Sequence, residues 1–215
     1  MKILIDNGHG SDTENKGKFS PLLDFYIPGE FTNRNRFREW KYNRVISRLL
    51  VEKLKSYGRK AELVVPEDRD IPLSERIRRV NTICDKEGAG NTLLISIHSN
   101  ACGNGSSWMT ARGWEAYTTK GKTKADALAD FLYKRARQNF QGRNIREDWS
   151  DGDADKEESF YIISKSKCPA VLTENFFYDN KEDLKYLTSD EGVHAVVRTH
   201  IESIIDYLNS RNIIN

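Results

Sequence analysis

Two of the four histidines sit where a side chain could do chemistry. His9 lies between Gly8 and Gly10, directly after the apolar run Ile3-Leu4-Ile5 and Asp6-Asn7. His98 closes a second run, Thr92-Leu93-Leu94-Ile95-Ser96-Ile97, and is followed by Ser99-Asn100. A third run, Ala170-Val171-Leu172-Thr173, ends in Glu174-Asn175. The flanking glycines allow a sharp turn and close backbone approach at His9. Two imidazoles and a carboxylate that leave a fourth position open to water form the donor set of a catalytic zinc site. Neutral imidazole suits zinc better than it suits calcium or magnesium, which prefer all-oxygen shells. The remaining ligand must come from another segment. Glu39, at the first turn of a helix in Phe37-Arg38-Glu39-Trp40, is the candidate, and its charge would also complement that helix N-terminus. Glu30, after Pro28-Gly29, is the alternative. His200 falls on the apolar face of a C-terminal helix and reads as a core imidazole, with His194 flanking that face. Cys102, four residues after His98, reads as a loop or core thiol rather than a nucleophile.

These residues need a scaffold that gathers strand ends. Residues 2–6 and 92–98 are short, nearly continuous apolar runs, as expected of strands buried on both faces. Residues 61–65, 114–118 and 170–173 repeat the pattern more weakly. Ile46, Leu49, Leu50, Leu54 and Tyr57 recur at helical spacing before Gly58, and residues 193–208 carry a wide apolar helical face. Strands separated by helices predict an α/β fold with a mostly parallel sheet, in which functional groups collect at the carboxyl ends of strands. Residues 10–38 are too long for a simple connector. Residues 142–158, rich in Asp and Glu, read as a solvated loop with a weaker claim to face substrate.

Composition removes other function classes. The chain has 215 residues, 34 Lys and Arg against 32 Asp and Glu, and a net charge of +2, so no nucleic-acid partner is drawn by bulk charge. The length suits one domain over residues 1–215. No apolar run approaches the ~20 residues of a membrane span, so no membrane span is expected. Asp6 interrupts the first apolar run too early for a signal-peptide core, so synthesis in the cytoplasm is expected. Three cysteines without CxxC spacing argue against a disulfide framework or a thiolate cluster. No GxGxxG or GxxxxGK[ST] follows a strand, which disfavours a nucleotide-binding protein.

Taken in order, Asp6-x-Gly8-His9-Gly10, Glu39-x-x-x-Asn43, Ser96-Ile97-His98-Ser99-Asn100 and Leu172-Thr173-Glu174-Asn175-Phe176-Phe177 resemble the motifs of the zinc-dependent N-acetylmuramoyl-L-alanine amidases. Pro66 to Arg76, ending at Asn81, and Arg112-Gly113-Trp114-Glu115-Ala116-Tyr117 are also similar to segments of that family. The resemblance runs over residues 1 to 208 or so. It implies a single α/β domain with a mixed, mainly parallel six-stranded sheet flanked by helices on both faces, phosphorylase/hydrolase-like. It also implies His9, Glu39 and His98 as zinc ligands, Glu174 as the catalytic carboxylate, peptidoglycan as substrate and the cell wall as the site of action. Ser11 and Asn7 replace residues usual in the family, and the usual Thr-Arg after the second strand is Val65-Pro66 here, with Arg69 displaced. Another zinc hydrolase on a similar sheet, such as an exopeptidase, is the alternative enzyme. A wall-binding module without activity is the alternative from another class.

Overall fold

Alternating apolar runs and amphipathic segments fold into one layered α/β unit. The computed structural model describes residues 1–13 and 16–211. In chain order its elements begin with β1 (Lys2–Asn7), the short ribbon β2 (Thr32–Asn33) and β3 (Arg36–Phe37), then α1 (Glu39–Ser56) and β4 (Lys60–Leu63). Next come α2 (Leu73–Glu87), β5 (Thr92–Asn100), β6 (Glu115–Thr118), α3 (Asp126–Asn139) and β7 (Lys156–Glu157). The chain closes with α4 (Tyr161–Ser164), β8 (Ala170–Phe177), α5 (Lys181–Leu187) and α6 (Asp190–Ser210). None of the described helices is long and apolar enough to cross a membrane.

The six-stranded sheet has the order β4-β1-β5-β8-β6-β7. β4, β1, β5 and β8 run parallel, and β6 is antiparallel to β8. The sheet is therefore mixed and mainly parallel, with the carboxyl ends of β1, β5 and β8 and the first residue of β6 along one edge. Burial of both faces explains the near-continuous apolar runs. Ile3, Ile5, Ile95 and Val171 pack with Ile46, Leu50, Leu132, Val196 and Ile204 of α1, α3 and α6. Leu4, Leu94 and Leu172 turn to the other face and pack with Ile77, Val80, Ile162 and Ile163 of α2 and α4.

Several boundaries differ from the sequence expectation. β8 continues to Phe177, so Glu174 lies within the strand rather than beyond it. The register slips between His98 and Asn100, and Phe176 takes a left-handed backbone, φ 62°, at this bulge. Residues 27–38 are built into the fold, since Ile27, Phe31 and Phe37 are buried in the layer of α1. The acidic stretch 142–158 is only partly solvated. Asp155 is buried, β7 adds an edge strand, and Arg146 and Lys156 both reach Glu115 of β6.

Candidate metal centre

Three elements converge where β1 and β5 end. β1 delivers Gly8 and His9, the first turn of α1 delivers Glu39, and β5 delivers His98. The ligand atoms of His9, Glu39 and His98 all lie within 4.8 Å of one another. His9 Nε2 is 3.3 Å from Glu39 Oε2, and His98 Nδ1 is 3.1 Å from Glu39 Oε1. The two imidazole rings meet edge to face with centroids 5.0 Å apart. The glycines are required by contact. A Cβ on Gly8 would lie 2.2 Å from His98 Cε1, and one on Gly10 would lie 2.0 Å from the backbone nitrogen of Asp70.

Glu39 is buried, yet among the described residues no lysine or arginine pairs with it. Its partners are the two imidazoles, the backbone N–H of Ser99 at 3.3 Å and the amide of Asn43 at 3.4 Å. Burial alone would raise its pKa, but the charges and hydrogen bonds of His9 and His98 hold it well below the usual carboxylate range. For His98 burial pulls the other way, and Glu39 together with the negative charge of Glu174 outweighs it and raises the pKa. A buried anion facing only imidazoles is costly unless a cation compensates it. The donor set of two imidazoles and one carboxylate suits zinc.

Glu174 stands opposite His98 across the parallel β5–β8 pair, so both side chains leave the same face. Its Oε2 is buried without a hydrogen-bond partner. Burial, opposed by the charge on His98 and assisted by Glu39 and Glu115, pushes its pKa up to about 8. A dication among the three ligand-type side chains would favour its ionised form. The carboxylate thus borders the cluster without belonging to it.

The other expectations separate cleanly. Glu30 is exposed and outside the cluster, because it sits in a short turn at residues 29–31 that packs only Phe31 inward. His194 is exposed. His200 is fully buried; its Nδ1–H donates to the Val196 carbonyl at 2.8 Å and its Nε2 accepts from Thr173 at 3.0 Å. Cys102 is an exposed free thiol in the loop after β5.

This geometry coincides with a family match. A family model described as Amidase_3, N-acetylmuramoyl-L-alanine amidase, covers residues 3–206. The chain belongs to that family. It is 29% identical over 167 residues, 74% of its length, to an endolysin of Bacillus phage SPP1, and spans 56% of that protein. It is 24% identical to the N-acetylmuramoyl-L-alanine amidase CwlM of Bacillus licheniformis, with 97% of this chain and 69% of that one covered. The fold is that of the N-acetylmuramoyl-L-alanine amidase AmiC2 of Nostoc punctiforme, at a TM-score of 0.72, 23% identity and 97% coverage of each chain.

In this Amidase_3 domain the residues behind the cluster matter as much as those in it, and sequence reasoning missed most of them. Arg76 of α2 is buried and donates to Asp6 at 2.8 Å and to the carbonyls of Asn7 at 2.7 Å, His9 at 3.0 Å and Ile71 at 2.7 Å. Arg44 of α1 donates to the same His9 carbonyl at 3.0 Å. Asn175 donates to the His98 carbonyl at 2.9 Å and accepts from the Trp114 indole at 3.0 Å. Glu115, opposite Glu174 in the β6–β8 pair, extends the His98–Glu174 row. Its carboxylate is held by Asn100 at 2.7 Å, Tyr117 at 2.8 Å, Arg146 at 2.7 Å and Lys156 at 2.6 Å. Arg76 and Glu115 both lie in segments that carry the family resemblance, which was the one available signal.

Proposed function

We propose that this chain, as one catalytic domain over residues 1–215, hydrolyses the amide bond between N-acetylmuramic acid and L-alanine in peptidoglycan, with zinc held by His9, Glu39 and His98. Membership of the amidase family supports the reaction class. The observation that carries the reading is the buried Glu39 carboxylate faced by two imidazoles with no lysine or arginine partner, beside the partnerless Glu174 Oε2. The names of the phage endolysin and of the Bacillus amidase it resembles support action on the cell wall.

Zinc at this cluster would supply Lewis-acid polarisation of the scissile carbonyl and acidify the attacking water. The protein's part is positional and protolytic. Glu39 would supply negative charge at the cluster, its two oxygens facing the His9 Nε2 and His98 Nδ1 that would share the ion with it. Glu174, free of hydrogen-bonding neighbours at Oε2, takes the proton of the attacking water and returns it to the departing alanine nitrogen. The cleft above the cluster has a volume of about 530 Å³ and is lined by residues of both helical layers, which is room for a sugar and the start of a peptide.

The test is the release of new alanine amino termini from purified peptidoglycan, with and without a zinc chelator. Chelator-sensitive release is expected. Release of sugar reducing ends without alanine amines would overturn the reaction class, and chelator-insensitive release would overturn the zinc assignment.

A further inference from the structure

The cleft over the candidate metal centre has two unlike walls. Leu73, Phe160, Tyr161 and Ile162 form one, from the layer that holds α2 and α4. Phe160 packs its edge on Tyr117 with ring centroids 5.1 Å apart, and Leu73, Phe160 and Tyr161 keep much of their surface in solvent. The other wall, from the segment packed in the layer of α1, presents Lys16, Gly17 and Lys18. The only carboxylates among the described lining residues are Glu39 and Glu174, on the floor.

The cationic wall is anchored to the site rather than loosely draped over it. The backbone N–H of Glu39 donates to the Lys18 carbonyl at 3.3 Å, and Tyr178 OH donates to the Gly17 carbonyl at 3.4 Å. Phe19 bridges antiparallel to Arg38, the residue before α1. Neither lysine has a carboxylate within ion-pair distance among the described residues, whereas Lys2, Lys156, Lys167 and Lys181 all do. Zinc on the floor would be offset by the charges of Glu39 and Glu174, so the unspent cations left to meet an anionic ligand are those of this wall, and the apolar wall offers none.

We propose that Lys16 and Lys18 read the ionised carboxylates of the peptide stem, making the enzyme selective for peptidoglycan whose stem carboxyls are free over material in which they are amidated. The inference rests on the amidase reading above. With the scissile amide at the metal cluster, the alanine leads into the stem, and a carboxyl on its next residue lies roughly 7 Å further on, about two residues of extended chain. Lys16 and Lys18 line the same cleft as His9, Glu39 and His98, so a stem leading away from the cluster would run past them. Both lysines would gain a charge-assisted partner that none of the described residues provides.

The test uses one batch of solubilised peptidoglycan fragments, half left with free stem carboxyls and half amidated with carbodiimide and ammonia. Alanine amine release is followed under subsaturating conditions. The wild type is expected to favour the free-carboxyl fragments about tenfold in kcat/KM, chiefly through KM, the size of one charge-assisted hydrogen bond. In the double variant Lys16→Met/Lys18→Met the ratio should fall to about one, with bound zinc and Tm retained, and Lys18→Arg should hold most of the preference. Equal rates on both halves by the wild type, or a wild-type ratio in the double variant, would overturn the lysine assignment while leaving the amidase reading in place. No release from either half by zinc-loaded protein would overturn both.

Discussion

Arg76 donates from Nη2 to the carbonyl of His9 at 3.0 Å, fixing the backbone of a candidate ligand from a helix whose own side chains never enter the cluster. The link matters because His9 adopts φ 62°, a left-handed conformation that costs a non-glycine residue about 1 kcal/mol or more. Arg76 and Arg44 together hold that carbonyl, and Arg76 also neutralises the buried Asp6. Arg76→Ala should therefore act twice. It leaves Asp6 buried without its cation, expected to cost about 3–5 kcal/mol in urea unfolding, and it releases the His9 turn. The paired variant Asp6→Asn/Arg76→Met should recover part of the stability, but not the zinc affinity. Recovery of both would show that the arginine acts on folding alone.

Gly8 gives a second prediction, from contact rather than charge. A methyl there would lie 2.2 Å from His98 Cε1, so the ring must swing away from Glu39. Gly8→Ala is expected to lose bound zinc, measured per mole of folded protein, and to cost about 1–3 kcal/mol as an overpacked site. Gly29→Ala is the control, since nothing lies within 4 Å of a Cβ built there. Equal zinc content in the two variants would contradict the contact argument.

Glutamates 39 and 174 should divide by readout. Glu39→Gln removes the carboxylate between the imidazoles, and zinc content and activity should fall together. Glu174→Gln should keep zinc and lower turnover by about 10²–10⁴-fold, the usual worth of general acid–base transfer. Loss of zinc from folded Glu174→Gln protein would make that residue a ligand instead.

Glu115 ties residues 142–158 to the sheet, because Arg146 and Lys156 converge on one buried carboxylate. Glu115→Gln should loosen that segment and cost about 1–3 kcal/mol, as a hydrogen bond to a charged group is lost. Faster hydrogen exchange should be confined to residues near 146 and 156. Unchanged exchange there would mean that β7 holds the segment without the ion pairs.

The parts of the site legible in the sequence were those with local signatures. Glycine on both sides of His9 and an apolar run ahead of His98 announced strand ends, and the parallel sheet brings such ends together. Glu39 looked like any first-turn glutamate, and only its order among the other motifs singled it out over Glu30. Arg76 and Glu115 had no local signature. A charged residue in Ser74-Glu75-Arg76 reads as solvated, and its burial is decided by Asp6, 70 residues away. For the same reason the acidic stretch after residue 142 looked solvated as a whole, although two of its three basic residues, Arg146 and Lys156, reach the buried Glu115 and Asp155 is itself buried.

His200 supplies a pH dependence that is separate from the metal site. Burial lowers its pKa to about 4 from 6.5, and its hydrogen bond to the Val196 carbonyl only partly offsets that effect. The unfolded chain therefore takes up a proton below about 6.5 that the native protein refuses until about 4. Stability from this residue is fully present above 6.5 and is lost as pH falls between those values, by ~1.4 kcal/mol per pH unit and about 3 kcal/mol in all. Other groups titrate in the same window, so the decisive quantity is a difference between proteins. His200→Gln should be less stable than the wild type at pH 7.5, because Thr173 and the Val196 carbonyl lose well-fitted partners. Its urea midpoint should then fall less steeply than the wild type's between pH 6.5 and 4.5, so that the two curves converge. Parallel curves would mean that His200 takes up its proton as readily in the native protein as in the unfolded chain, so that its burial carries no penalty.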